Sequence, residues 1–365
     1  MRLWNFLKTS VLWALLLPLM VVSCHQPEPE PEPEPIPEAS AKGLYILNEG
    51  LFLMNNSTLS YYNFETGEFT ENIFLDVNQR GLGDVGNDLQ QYGAKLYIVV
   101  NNSNIVEVVD PVTARSLKTI DLSGKQPRCL AFLDDKAYVT CFDGDVVRID
   151  TATLEVDATV HTGPNPDGIC VCNGKLYVAN SGGLSAPNYG NTVSVIDPSN
   201  FTVIKDITVE INPTRIKSWQ NRYVYVVSNG NYGMFVGYDT VPYTFQKIDS
   251  QTDNIIKTYD LEVLNFEIYQ NLAYVYTYDY SSMTSDWIKV LDLETDEVVK
   301  DQFISDGTSL KTPYGIKVNP LNGDVYITDA GNFENNGDVY CFDKNGKKKF
   351  SFEAGINPSG MVFMY

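Results

Sequence analysis

The chain has 365 residues, 44% of them hydrophobic and 20% charged, with a mean hydropathy of −0.16, a globular balance with enough material for a sizeable core. The 46 acidic residues against 26 basic ones leave a net charge of −20, which repels a phosphate backbone and excludes nucleic acid as a partner. Only two histidines are present, His25 and His161, so sites that need several imidazoles are excluded and a Ser-His-Asp arrangement would have to run through His161.

Arg2 and Lys8 precede the apolar stretch Val11 to Val22, which is shorter than the roughly 20 residues a spanning helix needs and is interrupted by Pro18. It ends in Val21-Val22-Ser23-Cys24, which resembles a bacterial lipobox. The resemblance implies that residues 1–23 are a lipoprotein signal peptide, that Cys24 is the lipidated mature N-terminus, and that the membrane is touched through this lipid anchor only. Residues 24–42 then form a Pro/Glu tether, PEPEPEPEPIPE at its centre. Proline fixes φ and the glutamates repel one another, so the run favours extended polyproline II and reaches about 50 Å. Acidic residues soon after the cysteine also resemble the surface-export signal of Bacteroidetes-type lipoproteins, which implies the cell-surface side of the outer membrane.

From Gly43 onward no helical stripe appears. Short alternating apolar runs recur instead, separated by Gly, Asn, Asp and Pro, as in an all-β protein. One recurring unit is a run, a tight turn and a run ending near a tyrosine, as in PDGICVCNGKLYVA (166–179), where Asn173-Gly174 predicts a type I′ hairpin; Asn322-Gly323 predicts a turn in the copy at 313–328. The other is a run ending in Asp, a short turn and a further run, as in VSVIDPSNFTVIKDI (193–207). Asp110, Asp150, Asp197, Asp249, Asp292 and Asp343, with Asn63 in the first copy, sit where a side chain can accept turn N–H groups.

The units alternate, giving four antiparallel strands A-B-C-D per repeat. The B-strand tyrosines Tyr45, Tyr97, Tyr138, Tyr177, Tyr225, Tyr274 and Tyr326 define seven repeats spaced 39–52 residues apart. The first repeat, GLYILNEG (43–50), lacks an A strand; the last residues, NPSGMVFMY (357–365), read as an A strand and stop. The C-terminus therefore completes the first repeat and closes the ring. The predicted fold is an all-β, seven-bladed β-propeller over residues 43–365.

In such a ring the B–C and D–A loops share one face. Here those loops are long and rich in Asn, Gly and Tyr, whereas the opposite face is made of tight hairpins. The candidate ligand-binding residues are Asn48 and Glu49; Asn87; Asn101 and Asn102; Arg128; Asn180 and Tyr189; Arg215; Asn229 and Tyr232; Tyr278; Tyr314; and Asp329 and Phe333, with Phe235 and Tyr280 at the same end. Asparagine offers donors and an acceptor, tyrosine a broad apolar face with a polar tip, so this chemistry suits a bulky, uncharged ligand rich in amides and hydroxyls. Arg128 and Arg215 read as equivalent residues at the starts of their A strands, either holding a phosphate or carbonyl or balancing Asp84 and Asp167. No catalytic residue, metal site or cofactor is expected. Cys129, Cys141, Cys170, Cys172 and Cys341 read as buried small hydrophobes, His161 as a loop residue without a partner, and Trp219 and Trp287 as core or blade-interface residues.

LYILNEG (44–50), GDVGNDLQ (83–90), LYVANSGG…APNY…TVSVID (176–197) and PYG…TDA (313–330), with the lipobox and tether, resemble the YncE-like propeller lipoproteins of gut Bacteroidetes, and more narrowly the BtuG family that captures vitamin B12. The resemblance implies a non-enzymatic cell-surface lipoprotein that binds cobalamin as its ligand and passes it to a TonB-dependent outer-membrane transporter of the BtuB type. Three other readings are a glycan-binding or adhesion module, a lactonase-like enzyme whose metal Glu49, Asp84, Asp167 and Asp329 would converge to hold, and a scaffold joining other lipoproteins.

Overall fold

In the second recurring unit, an aspartate closes the turn locally before any long-range contact forms. Asp110 Oδ1 accepts from the N–H groups of Val112 at 3.0 Å and Thr113 at 2.8 Å. The same turn recurs at Asp150, Asp197, Asp249, Asp292 and Asp343, and at Asn63. In the first unit, Asn173 and Gly174 both have positive φ, 52° and 68°, as a type I′ turn requires. At 322–323 only Gly323 is left-handed, because the hairpin there is longer and is closed by Asn319 N–H donating to the Asp324 carbonyl at 2.8 Å.

The computed structural model describes residues 40–233, 238–280, 282–285 and 287–365. The predicted signal peptide, Cys24 and the tether through residue 39 lie outside the described residues, as does Phe235. The hairpins assemble into seven four-stranded antiparallel sheets arranged as a seven-bladed propeller. Six blades are continuous in sequence. In the remaining one, Pro358–Met364 is the inner strand, followed outward by Gly43–Asn48, Thr58–Asn63 and Phe69–Thr70. Gly43 pairs with Met364 and Tyr45 with Val362, so the two ends of the described chain close the ring.

Burial explains the sequence pattern of each strand. Second strands such as Gly43–Asn48 and Leu176 to Asn180 are covered on both faces by neighbouring blades, so they read as nearly unbroken apolar runs. Outer strands such as Thr202–Thr208 show one face to solvent and alternate. Among the described residues the core divides into seven apolar clusters, each built by one pair of adjacent blades. All seven repeat tyrosines lie in these clusters. Trp219 joins one of them and donates its indole N–H to the Gln270 carbonyl of the next blade at 2.7 Å, with Trp287 packed alongside.

One element departs from the all-strand expectation. Ile73–Asn78 forms a short helix after the two-residue outer strand of the first blade, capped by Asn72, which accepts from Leu75 N–H at 3.2 Å. Phe74 is its one buried residue, so six residues carry no apolar stripe for a sequence pattern to reveal.

Candidate functional site

The inner strands begin alike. The residue preceding the strand is left-handed at Gln126, Asn165, Asn212 and Asn357 (φ 52°, 48°, 61° and 54°), each followed by proline. A β-bulge then interrupts pairing at the channel mouth in six blades, between Gly86 and Asp88, Pro127 and Leu130, Pro166 and Ile169, Pro213 and Arg215, Pro313 and Ile316, and opposite Leu47/Asn48. Bulges turn a side chain away from the pleat, and these turn polar side chains into the mouth. Counting back from the residue paired with each repeat tyrosine, an apolar ring (Leu89, Leu130, Ile169, Ile216, Phe266, Ile316, Met361) precedes two site rings. The inner site ring is Asp88, Cys129, Gly168, Arg215, Asn265, Gly315 and Gly360; the mouth ring includes Asn87, Arg128, Asp167, Tyr314 and Ser359. Arg128 and Arg215, expected to be equivalent from their places at the starts of their A strands, are therefore not equivalent. They stand in different rings, one residue apart in register.

The glycines of the inner ring have a steric reason. A Cβ on Gly168 would meet the Thr214 carbonyl oxygen at 2.4 Å, and one on Gly315 the Ser359 carbonyl oxygen at 2.4 Å. Neighbouring inner strands approach too closely for a side chain there. Below the mouth the channel holds a cavity of about 890 Å³, lined by Arg215, Cys129, Asp88, Tyr314 and Glu267 among others. That lies within the range of small-molecule sites.

The mouth has two halves. In one, the Arg128 guanidinium donates to both Asp167 oxygens at 3.2 and 3.3 Å and to Asn87 Oδ1 at 2.8 Å, and lies 4.5 Å over the Phe142 ring. In the other, rings from successive blades touch in an arc. Tyr189 lies 6.5 Å from Tyr232, Tyr232 5.9 Å from Tyr280, Tyr280 6.3 Å from Phe333, and Phe333 6.0 Å from Tyr314. Tyr314 ends the arc by donating its hydroxyl to Glu49 at 2.7 Å. Burial raises the Glu49 carboxyl pKa, opposed by that hydrogen bond and by Arg128 and Arg215. Burial, then Tyr232, pushes the Tyr280 phenol up to about 12. Deeper in the channel Glu267 is ion-paired with Lys217 and with Lys317, the latter at 3.3 Å, and despite its burial the two ammonium groups hold it below the usual carboxylate range. Asp88 is raised by burial and accepts from Leu130 N–H and Gln90.

The structure thus brings Glu49, Asn87, Arg128, Tyr189, Arg215, Tyr232, Tyr314 and Phe333 to one mouth. The remaining sequence candidates serve the scaffold. Asn48 is fully buried and pins Thr58, Ser60 and Gly355 N–H; Asn180 holds Thr192 and Ser194 in the same way. Asn101 donates to the Pro127 carbonyl, and Asn102 to Asp84 at 2.6 Å. Asn229 donates to the Tyr232 hydroxyl at 3.0 Å and so supports the arc from beneath. Tyr278 is buried behind Tyr280, 5.0 Å from it. Asp329 accepts from the N–H groups of Lys311, Thr312 and Gly331 and fixes its loop. With Asp84 held by Asn102 and Asp167 by Arg128, the four carboxylates weighed as a metal set are committed to separate partners. Among the described residues, no group of three or more His, Cys, Asp and Glu side chains stands close enough to hold a metal ion. His161 is not partnerless, since its Nδ1 lies 3.0 Å from Asp145 Oδ1. Cys141, Cys170, Cys172 and Cys341 are buried, whereas Cys129 faces the channel.

Sequence reasoning missed Asn265 and Tyr276. Tyr276 donates to the Tyr314 carbonyl, with Asn265 bonded to both. The only signal is that Tyr276 ends the YVY run two residues after a repeat tyrosine.

Fold and site together define a seven-bladed β-propeller whose loop-rich end bears an aromatic and polar pocket. The chain belongs to the family described as a domain of unknown function, DUF5074, whose model matches residues 42–364. No curated protein matches it. Among solved structures it is similar to a quinoprotein alcohol dehydrogenase-like protein from Bacteroides thetaiotaomicron, at 16% identity and a TM-score of 0.61, covering 88% of this chain and 78% of that one. It is also similar to a protein of unknown function from Bacteroides caccae, at 12% identity and a TM-score of 0.51, covering 89% and 99%. A third is hydrazine synthase from Kuenenia stuttgartiensis, at 16% identity and 0.57, covering 71% and 77%. At these identities the likeness is one of fold. Among the described residues no helix is long and apolar enough to cross a membrane.

Proposed function

We propose that this protein is a non-catalytic capture protein that takes a bulky, mostly neutral, amide-bearing ligand into the loop-rich mouth of its propeller, and that the ligand is cobalamin. The observation that carries the reading is the split mouth. The arc from Tyr189 to Tyr314 offers apolar faces to the flank of a large planar ring system, while the Asn87 amide on the opposite half offers a polar partner to its carboxamides. The likeness of LYILNEG, GDVGNDLQ and LYVANSGG to the BtuG-type lipoproteins supports the same ligand. With the lipobox and Pro/Glu tether, it also supports a lipid-anchored protein on the cell surface that passes cobalamin to a TonB-dependent transporter.

Gel filtration of the purified protein with cyanocobalamin tests the reading. Corrin absorbance should co-elute with the protein, and corrin eluting wholly with the small-molecule fraction would overturn it. A second reading, glycan binding, draws on a groove of about 640 Å³ between the fifth and sixth blades, lined by Tyr243, Trp287, Asp260 and Glu262. Aromatic faces beside carboxylates suit sugar rings, and glycan-array binding without corrin retention would favour it.

A further inference from the structure

The two mouth arginines differ in what they hold. Arg128 spends its guanidinium on Asp167 and Asn87. Arg215, one ring deeper, is partly buried and lines the same cavity, yet among the described residues it forms no hydrogen bond or ion pair. The carboxylates within its electrostatic reach are Asp167 and Glu49, and both are committed, one to Arg128 and one to Tyr314. Asp88, on its own ring, is spent on Leu89 and Leu130 N–H groups and Gln90; Lys317, deeper down, is paired with Glu267. Arg215 lines the channel cavity of about 890 Å³, which leaves room beside it for a ligand group. Withdrawing a guanidinium from water without a partner is unfavourable, and in a chain of net charge −20 a free cation at a channel mouth is a local exception.

We propose that Arg215 is an anion-binding residue, receiving the one acidic group, a phosphodiester or a carboxylate, of a ligand that is otherwise neutral. The guanidinium fork matches two oxygens of such a group, and its position below the aromatic arc lets the arc hold the body of the ligand while the charge sits deeper. The inference rests on the capture reading and adds a chemical requirement to it: the ligand carries one anionic group.

The test titrates the purified protein and its R215M and R215K variants with cyanocobalamin, which has a phosphodiester, and with dicyanocobinamide, which keeps the corrin and its amides but lacks that group. The wild type should bind cobalamin at least about tenfold more tightly than cobinamide. R215M should lose that preference by weakening cobalamin alone, R215K should retain part of it, and R215M should melt no lower than wild type because it removes an unpaired charge. Equal cobalamin affinity in wild type and R215M would overturn the anion role while leaving capture intact. If neither corrin binds the wild type, the capture reading fails and phenyl phosphate becomes the probe. Calorimetric binding that is lost in R215M then upholds the anion site; no binding, or binding unchanged in R215M, removes it.

Discussion

The Tyr314 hydroxyl meets the Glu49 carboxylate at 2.7 Å across the seam where the last blade joins the first, linking residues 265 apart in sequence. The bond offsets the burial that raises the Glu49 pKa. A Y314F variant leaves the carboxylate without that donor, and should lose about 1–3 kcal/mol of stability at neutral pH. Because the Glu49 pKa then rises further in the folded state, the deficit against wild type should shrink as pH falls and the group protonates. Urea melts of both proteins at pH 7.5 and at pH 5 check this, and a deficit that stays constant would contradict it.

Arg128 is a structural arginine by the same reasoning that makes Arg215 a free one. The side chains of Arg128 and Asp167 are only 19% and 8% exposed. Replacing Arg128 with Met strands a buried carboxylate and should cost about 3–5 kcal/mol. Adding D167N should recover much of the loss. Thermal melts of the two single variants and the double one measure the coupling, and simple additivity would mean the pair is not coupled.

The seven repeat tyrosines predict an alkaline transition. Burial pushes all seven phenols above their ordinary value, Tyr97 to about 12 and Tyr45, Tyr138, Tyr177, Tyr225, Tyr274 and Tyr326 also upward. A phenol whose folded pKa exceeds its unfolded value near 10 supports the fold below pH 10 and withdraws that support as pH rises. Stability should therefore fall steeply between about pH 10 and pH 12, with tyrosinate absorbance rising together with the loss of far-ultraviolet β-sheet signal. Tyrosinate formation that runs to completion while the sheet signal persists would show that the phenols ionise in the folded state.

Ring closure predicts a large effect from one terminal residue. Phe363 is 5% exposed and packs against Tyr326 of the preceding blade at 5.0 Å. F363A should cost about 3–5 kcal/mol, as much as a central core truncation, although it lies two residues from the end of the chain. Denaturant melts decide it, and a loss below about 1 kcal/mol would mean the closing strand frays without consequence.

What could be read directly from the sequence was local. The turn aspartates and the Asn173-Gly174 hairpin depend on hydrogen bonds between residues two or three apart, so their spacing alone carried the repeat, and the missing first strand with its surplus last one carried the closure. The fifteen binding candidates were read less well. Asn48 and Asn180 look like rim residues because they end a strand and open a loop, yet both are buried pins. The asparagine code is the same in either case, and the difference lies in whether a neighbouring hydroxyl stands opposite, as Ser60 and Ser194 do.

The sequence by itself determined the seven-fold β architecture, the order of strands within each blade, and the end of the molecule that would carry long loops, because all three follow from short-range periodicity and turn chemistry. Only the tertiary structure decided that Arg128 is spent on Asp167 while Arg215 is free, that five aromatic rings from four successive blades form one arc, and that Glu49 answers to Tyr314. Those relationships arise from bulges that shift six of the inner strands by a residue, and from the circular packing of blades that are distant in the chain. Neither leaves a signature in the local pattern of side chains.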